Sequence, residues 1–462
     1  MLRNLIHTRP LRSSAAHGAV LLTSTLCLSL SAVAIAATSP NADPPARVGH
    51  ASLPGDTLEH SKDGTTWQPA SVGLPLTTLS TLRTGQSRAE LRIGSTALRM
   101  APRVQLQFDQ LDDAAVVVAL HIGRLNVRLR RCCQAGDQFT ALLDGARFDA
   151  TSTGSFHLDT DARGLRLTAR VYAGSGTLTF GGQRIALTAG QQVRVNTQTM
   201  RVITQGPAER NPIDDWADER DQQADARAES GGAALYASAE MTGAALLDQY
   251  GAWRTDPRLG SVWFPRGVAA DWAPYRHGRW TSAEPWGWTW VDDAPWGFAP
   301  FHYGRWTFLA GRWGWLPGNP QARPVYAPSL VGFYGTPAGG WGIGAAALGG
   351  GLAGGGVVGW YPLGPGEWYH PAGNRSATYV QALNAPHSSA QAAGTSDATP
   401  RYAQTSFAAT VVPRSVFEGG QAVAPARLDV APSTLAGAPA LGSGAVPARL
   451  GSVPPTVPKP AR

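Results

Sequence analysis

Fourteen of the sixteen tryptophans in this chain fall between Trp253 and Trp368, and they recur inside a repeated phrase. Residues 272–281 read Trp-Ala-Pro-Tyr-Arg-His-Gly-Arg-Trp-Thr, and residues 298–307 read Phe-Ala-Pro-Phe-His-Tyr-Gly-Arg-Trp-Thr. A large aromatic ring carries ~150–250 Å² of surface. So many in one stretch must either pack together or be used on a ligand. Their setting among Gly, Pro and Arg argues against long helices, since Gly costs ~1 kcal/mol and Pro ~3 kcal/mol in a helix interior. Short turns and hairpins organise this region.

With 462 residues the chain has room for two or three domains. Its start reads as a secretory signal. Arg3, Arg9 and Arg12 precede an apolar run from Ala19 to Ala37, with Ala34-Ile35-Ala36 as a cleavage-type sequence. Residues 1–37 are therefore set apart from the fold. The rival reading is a retained anchor, because the run approaches the ~20 residues needed to span a bilayer. Bulky Leu26 before Cys27 argues against lipoprotein processing there. Cleavage would remove three Arg and no acid, taking the formal charge from +7 to 36 − 32 = +4. The only lysines are Lys62 and Lys459, so the positive charge is almost wholly guanidinium, suited to aromatic faces and bidentate anion contacts. No basic run or nucleic-acid motif is present, and no nucleic-acid partner is expected. Cys132 and Cys133 are adjacent, which leaves open two half-buried thiols or a strained local bridge; a metal site lacks the CxxC or His pattern that would support it.

Residues 38–73 are polar and rich in Pro and Gly, and read as a loosely ordered lead-in. From about 74 to 197 the period is two. Ala89, Leu91 and Ile93 alternate with Glu90 and Arg92; Val104, Leu106 and Phe108 with Gln105 and Gln107; Leu125, Val127 and Leu129 with Asn126, Arg128 and Arg130. Short alternating runs punctuated by Gly, Asp and Ser predict half-buried strands in a β sandwich or roll. The phrases Leu82-Arg83-Thr84-Gly85-Gln86-Ser87-Arg88-Ala89-Glu90-Leu91, Gly123-Arg124-Leu125-Asn126-Val127 and Leu187-Thr188-Ala189-Gly190-Gln191-Gln192 resemble the FecR-type domain. The resemblance implies a periplasmic β structure, best known from regulators that relay an outer-membrane receptor signal to a sigma factor. This chain departs from that arrangement in having no N-terminal cytoplasmic domain to meet a sigma factor, so only the module is carried over.

Residues 205–249 read as a helical linker. Asn211 before Pro212 is a good N-cap and first residue, and Asp214, Asp215, Asp218 and Glu219 favour the positive end of the helix. The Trp-rich β domain spans about 250–385. Its phrases Gly278-Arg279-Trp280, Gly304-Arg305-Trp306, Gly311-Arg312-Trp313 and Val291-Asp292-Asp293-Ala294-Pro295-Trp296-Gly297-Phe298 resemble a Trp-rich family of unknown function that often follows an FecR-type domain in secreted proteins. That resemblance implies an architecture and an envelope setting, but no activity. Residues 337–359 are uncharged and Gly-rich, and read as a loop rather than a membrane helix. Residues 386–462 are Ala, Pro, Ser and Gly with scattered Arg, and are expected to be mostly disordered, with 411–417 a candidate docked strand.

The aromatic cluster has three readings: a structural core, a glycan or peptidoglycan surface with exposed indoles, and a protein-binding surface. If it binds, the candidate residues are Trp280, Trp306 and Trp313 with Arg279, Arg305 and Arg312. Asp292 and Asp293 are adjacent, so an extended strand would point them to opposite faces; one is read as a turn residue and neither as catalytic. His277 and His302 are near-equivalent in the repeat, but two histidines make a weak metal site. No catalytic residue, metal or cofactor is assigned. The expected object is a mostly β, periplasmic or secreted, non-enzymatic envelope protein, with a scaffolding, binding or signal-related role and no stable transmembrane anchor after cleavage. A glycan- or peptidoglycan-binding or sensory module is the alternative, and a glycoside hydrolase the distant one. Expected partners are an envelope glycan or an envelope protein.

Overall fold

Strand alternation between residues 74 and 197 is realised in a computed structural model that describes residues 42–161, 163–320, 323–335, 356–384 and 401–441. The signal-like segment 1–37, most of the Gly-rich stretch 337–359, and residues 386–400 and 442–462 of the tail lie outside the described residues. Sixteen strands, from His50–Leu53 to Arg201–Pro207, form one hydrogen-bonded network. The fifteen-residue strand Ala115–Leu129 joins its two halves. Its first part lies between Gln105–Leu111, antiparallel, and Gln138–Leu143, parallel. Its second part lies between Thr96–Met100 and Gly154–Thr160, both antiparallel. Gly123 sits at the changeover with φ +98°, where an added Cβ would meet Val104 and the Arg103 carbonyl. No other residue type allows that bend without strain. The two layers close on a core that includes Leu91, Leu98, Phe108, Val127, Phe148, Phe156 and Leu178.

The polar face of the second layer is not open to water as alternation suggests. Glu90 and Arg99 have no exposed surface. They lie under the helix Pro212–Glu229, which is anchored at its start by a capping box in which Asn211 and Asp214 bond each other's backbone. Only Ile213, Asp214 and Ala217 of this helix are buried, so ions and hydrogen bonds rather than an apolar stripe hold it down. Asp214 accepts from Tyr172 Oη at 2.7 Å and Asn126 Nδ2 at 3.3 Å, and meets His157 Nδ1 at 2.6 Å. The segment read as a connector is thus a cover for one sheet.

The Trp-rich region is built of hairpins, as its phrases predict. Gly251–Asp256 pairs Gly260–Pro265, Gly278–Ala283 pairs Gly287–Asp292, and Arg305–Leu309 pairs Arg312–Leu316. Each brings two indoles opposite one another: Trp253 and Trp263, Trp280 and Trp290, Trp306 and Trp315. In each, the glycine two residues before the first indole (Gly251, Gly278, Gly304) leaves room for the second, whose ring a Cβ would strike. The repeated Gly-x-Trp is therefore a cross-strand packing unit.

The lead-in and part of the tail are more ordered than expected, and the candidate docked strand at 411–417 is realised over Thr410–Pro413. The lead-in supplies His50–Leu53, Leu58–Ser61 and Gln68–Pro69 to the network, and Val48 enters the aromatic core. Its short edge strands are hidden by Pro and Gly, and partner strands supply what its own composition lacks. Within the tail, residues 401–441 are ordered. Thr410–Pro413 pairs Val357–Pro362, Ala440–Leu441 pairs Val331–Tyr334, and Phe417 is fully buried. Arg276 fixes this segment by donating to the carbonyls of Phe407 and Ala409. Low apolar density is offset here by insertion into a core already made by others. Cys132 and Cys133 are joined to each other in the loop after Ala115–Leu129. No helix among the described residues is long and apolar enough to cross a membrane, which says nothing of β-barrels.

Candidate functional site

The six residues singled out from the repeat are brought together only in part. Trp280, Trp306 and Trp313 are buried in one aromatic core, so they present no face to a ligand. Trp280 packs on Trp290, Phe333, Trp360 and Phe417 at centroid distances of 5.1–5.6 Å. Trp313 packs on Tyr402 at 4.9 Å. Arg305 is also buried. It donates to the carbonyls of Glu367 and Gly304 and to Asn384 Oδ1, clamping three segments, and burial pushes its pKa down to about 10. Arg312 is exposed, with its guanidinium 5.2 Å from the Phe264 ring. Arg305 lines a small cleft with Met241 and Tyr303, and Arg279 borders a larger one.

That cleft, about 330 Å³, lies between the lead-in hairpin and the strand Gly278–Ala283. Arg279 Nη2 donates to Ser71 Oγ at 3.3 Å, and Ser61, Thr66, Gln68 and Thr281 add hydroxyl and amide groups. Its lining holds the mostly buried His60 imidazole but no Trp, Tyr or Phe ring of the kind that stacks on sugars.

Asp292 is buried and bonded to Trp290 Nε1 and the Ala294 amide, both at 3.0 Å, while Asp293 is exposed. Burial pushes the Asp292 carboxyl well above the usual range. It caps a turn, as one member of the pair was expected to do. His302 donates from Nδ1 to the Ala327 carbonyl at 2.9 Å, and burial lowers its pKa to about 3. Among the described residues no group of three or more His, Cys, Asp or Glu is placed to hold a metal ion.

Another cleft, about 190 Å³, was not foreseen. Its floor is the polar face of the strands, and its walls are the helix Pro212–Glu229 and the turns 233–248. Glu90 sits at the base and accepts from Ser52 Oγ at 2.9 Å, Arg92 Nε at 3.1 Å, Arg99 Nε at 2.8 Å and Arg220 Nη2 at 3.0 Å. Desolvation alone would raise its pKa. The charges of Arg92, Arg99 and Arg220 overcome this and hold the carboxylate below the ordinary range. Asp221 meets Arg99, Arg128 and Arg130, and Asp225 meets Arg130. Five guanidinium groups therefore face three carboxylates, an excess of two positive charges. The available signal was the phase of Glu90, Arg92, Arg128 and Arg130, which all fall between the inward-facing apolar positions; what covers them comes from residues 212–248.

The family described as DUF6600, a family of unknown function, matches residues 244–367, which is the hairpin region and well under half of the chain. The match does not extend to the strands at 74–197. No curated relative matches the sequence. Two crystal structures of a "putative anti-sigma factor" from Parabacteroides distasonis ATCC 8503 are similar to part of the chain, each at TM-score 0.26 and 11% identity over 30% of it. The chain covers 63% and 64% of those structures, less than two thirds of their length.

Proposed function

We propose that this chain is an exported, non-enzymatic protein of the cell envelope with a scaffolding, binding or signal-related role. The observation that carries the reading is where the conspicuous chemistry goes. The indoles, Arg305 and Asp292 are spent on holding hairpins together, while the clefts lie where the two β modules and the helical segment meet. A rigid aromatic block beside a charged, open junction suits recognition better than bond-breaking, which needs acids placed across one bond. The signal-like start supports export.

The test is fractionation of cells expressing the full chain, followed by capture of partners from envelope extract. Recovery of the processed chain outside the cytoplasm, with a reproducible envelope partner, is the expected result. A cytosolic mature chain, or glycan cleavage lost in Asp292→Asn or Asp293→Asn, overturns it.

A further inference from the structure

We propose that the cleft between the strands and the helix Pro212–Glu229 binds a small carboxylate bearing a short aliphatic group. This deepens the binding-module reading and rests on it. One water needs about 10–15 Å³ of the same kind of space, so a cleft of about 190 Å³ admits a small organic molecule.

Its polar end is unfinished. Among the described residues Arg92 bonds only through Nε, to Glu90, and its two terminal amino groups make no hydrogen bond. Arg220 uses Nε and Nη2, leaving Nη1. Arg130 Nη1 and Ser95 Oγ are buried with no partner, and so is Nδ1 of His50, a residue only 1% exposed. All five residues line this one cleft. His50 is kept neutral by burial and its Nδ1 offers a lone pair, so the buried donors are Arg130 Nη1 and Ser95 Oγ. Buried donors in native proteins are nearly always satisfied, and these two, converging on a cavity, point to a missing acceptor. Guanidinium forks match a planar carboxylate in two parallel bonds.

The other chemistry narrows the ligand. Arg92, Arg130, Arg220 and Arg227 outnumber Glu90 and Asp248 in the lining, so the cleft favours an anion, and its apolar wall disfavours inorganic phosphate. Apart from its charged residues and Ser238, the lining from the helix and the following turns is mostly apolar, including Ala224, Ala237, Met241 and Leu246. A monoanion with a short aliphatic group fills both halves.

The experiment is calorimetric titration of the full chain with hexanoate, N-acetylleucine, hexan-1-ol and inorganic phosphate. Hexanoate or N-acetylleucine should saturate with Kd on the order of 1 mM, and hexan-1-ol and phosphate should bind at least ~10-fold more weakly, a difference of about 1.4 kcal/mol. Tighter binding of N-acetylleucine than hexanoate identifies a peptide C-terminus as the source; the reverse identifies a free short acid. Ala224→Trp, which fills the cleft, and Arg220→Gln, at its rim, should each weaken binding ~10-fold while the melting temperature stays within a few degrees. Should Ala224→Trp fail to fold, Arg220→Gln decides. The proposal falls if neither carboxylate binds the folded chain, if hexan-1-ol binds as well as hexanoate, if phosphate displaces hexanoate, or if the folded variants bind like the parent. Failure here leaves the result of the fractionation unchanged, so the two readings are separable.

Discussion

Glu90 and Asp292 are both buried carboxylates, and their surroundings drive them in opposite directions. Glu90 is compensated by three guanidinium groups, so its folded pKa lies below the unfolded value of ~4.3. The stability it contributes is present above that pH and is lost as pH falls through it toward the folded pKa. Glu90→Gln leaves buried guanidinium charge without its counter-ion, and should cost about 3–5 kcal/mol at neutral pH, read from urea unfolding. A loss under ~1 kcal/mol would mean the cluster is already balanced by Asp221 and Asp225. Asp292 lacks a cation, and its folded pKa is raised. Its contribution is therefore greatest below the unfolded ~3.9 and declines as pH rises toward the folded value. Asp292→Asn should flatten this decline, so that urea midpoints of variant and parent diverge between pH 4 and pH 8 in the variant's favour. At this scale the sequence is legible in half. Alternation names the inward set Ala89, Leu91 and Ile93, but is silent about whether the opposite face meets water. Glu90 and Arg92 look like surface residues until residues 212–248 are laid over them.

The hairpin is the element the sequence announces most clearly, because Gly-x-Trp recurs and in three copies the glycine makes room for the opposite indole. Gly304 has φ +75° and lies against the Trp315 ring and the Leu316 carbonyl. Gly304→Ala meets both a strained backbone and a collision, and should destabilise by about 2–4 kcal/mol. Gly311→Ala, at similar φ but with open space around it, should cost only about 1 kcal/mol. Thermal unfolding of the pair separates packing from backbone strain; equal losses would show that the ring contact is slack. The segment 401–441 is the element least visible in advance. Its composition reads as unfoldable alone, and that is correct as far as it goes, since Val411, Val412 and Phe417 bury themselves only in a core supplied from elsewhere. Arg276→Ala removes the donors to Phe407 and Ala409, and should raise amide exchange across 405–418 before it changes exchange in the hairpins.

For the molecule as a whole, two cores abut without a free linker. Val48 and Thr242 Oγ1 are tied by the Val48 carbonyl at 2.9 Å, Asp137 pairs with Arg47 and Arg323, and His50 lies 4.7 Å from the Phe298 ring. Sequence order hid these junctions, because each joins residues more than eighty positions apart. The candidate site suffered the same way: the Arg-rich cleft draws on strands near 50, 90 and 130 and on turns near 240, and no local phrase contains it. The repeat was conspicuous and led to Trp280, Trp306 and Trp313, which are packing groups. Native indole emission should therefore resist acrylamide and stay unchanged on adding chito-oligosaccharides, whereas the unfolded chain is quenched freely. A saccharide-dependent change in the native protein would return the aromatic surface to consideration.

The strand Thr410–Pro413 and the turn carrying Phe417 close the block in which Trp280 and Trp360 already lie. A polypeptide delivered from its amino end thus emerges with that closure still to come. Until some four hundred residues have been delivered, the rings have no lid, and any product cut short upstream of Phe417 presents a greasy wound to chaperones and proteases. Quality control of this protein is consequently a test of whether the stretch around Phe417 arrived.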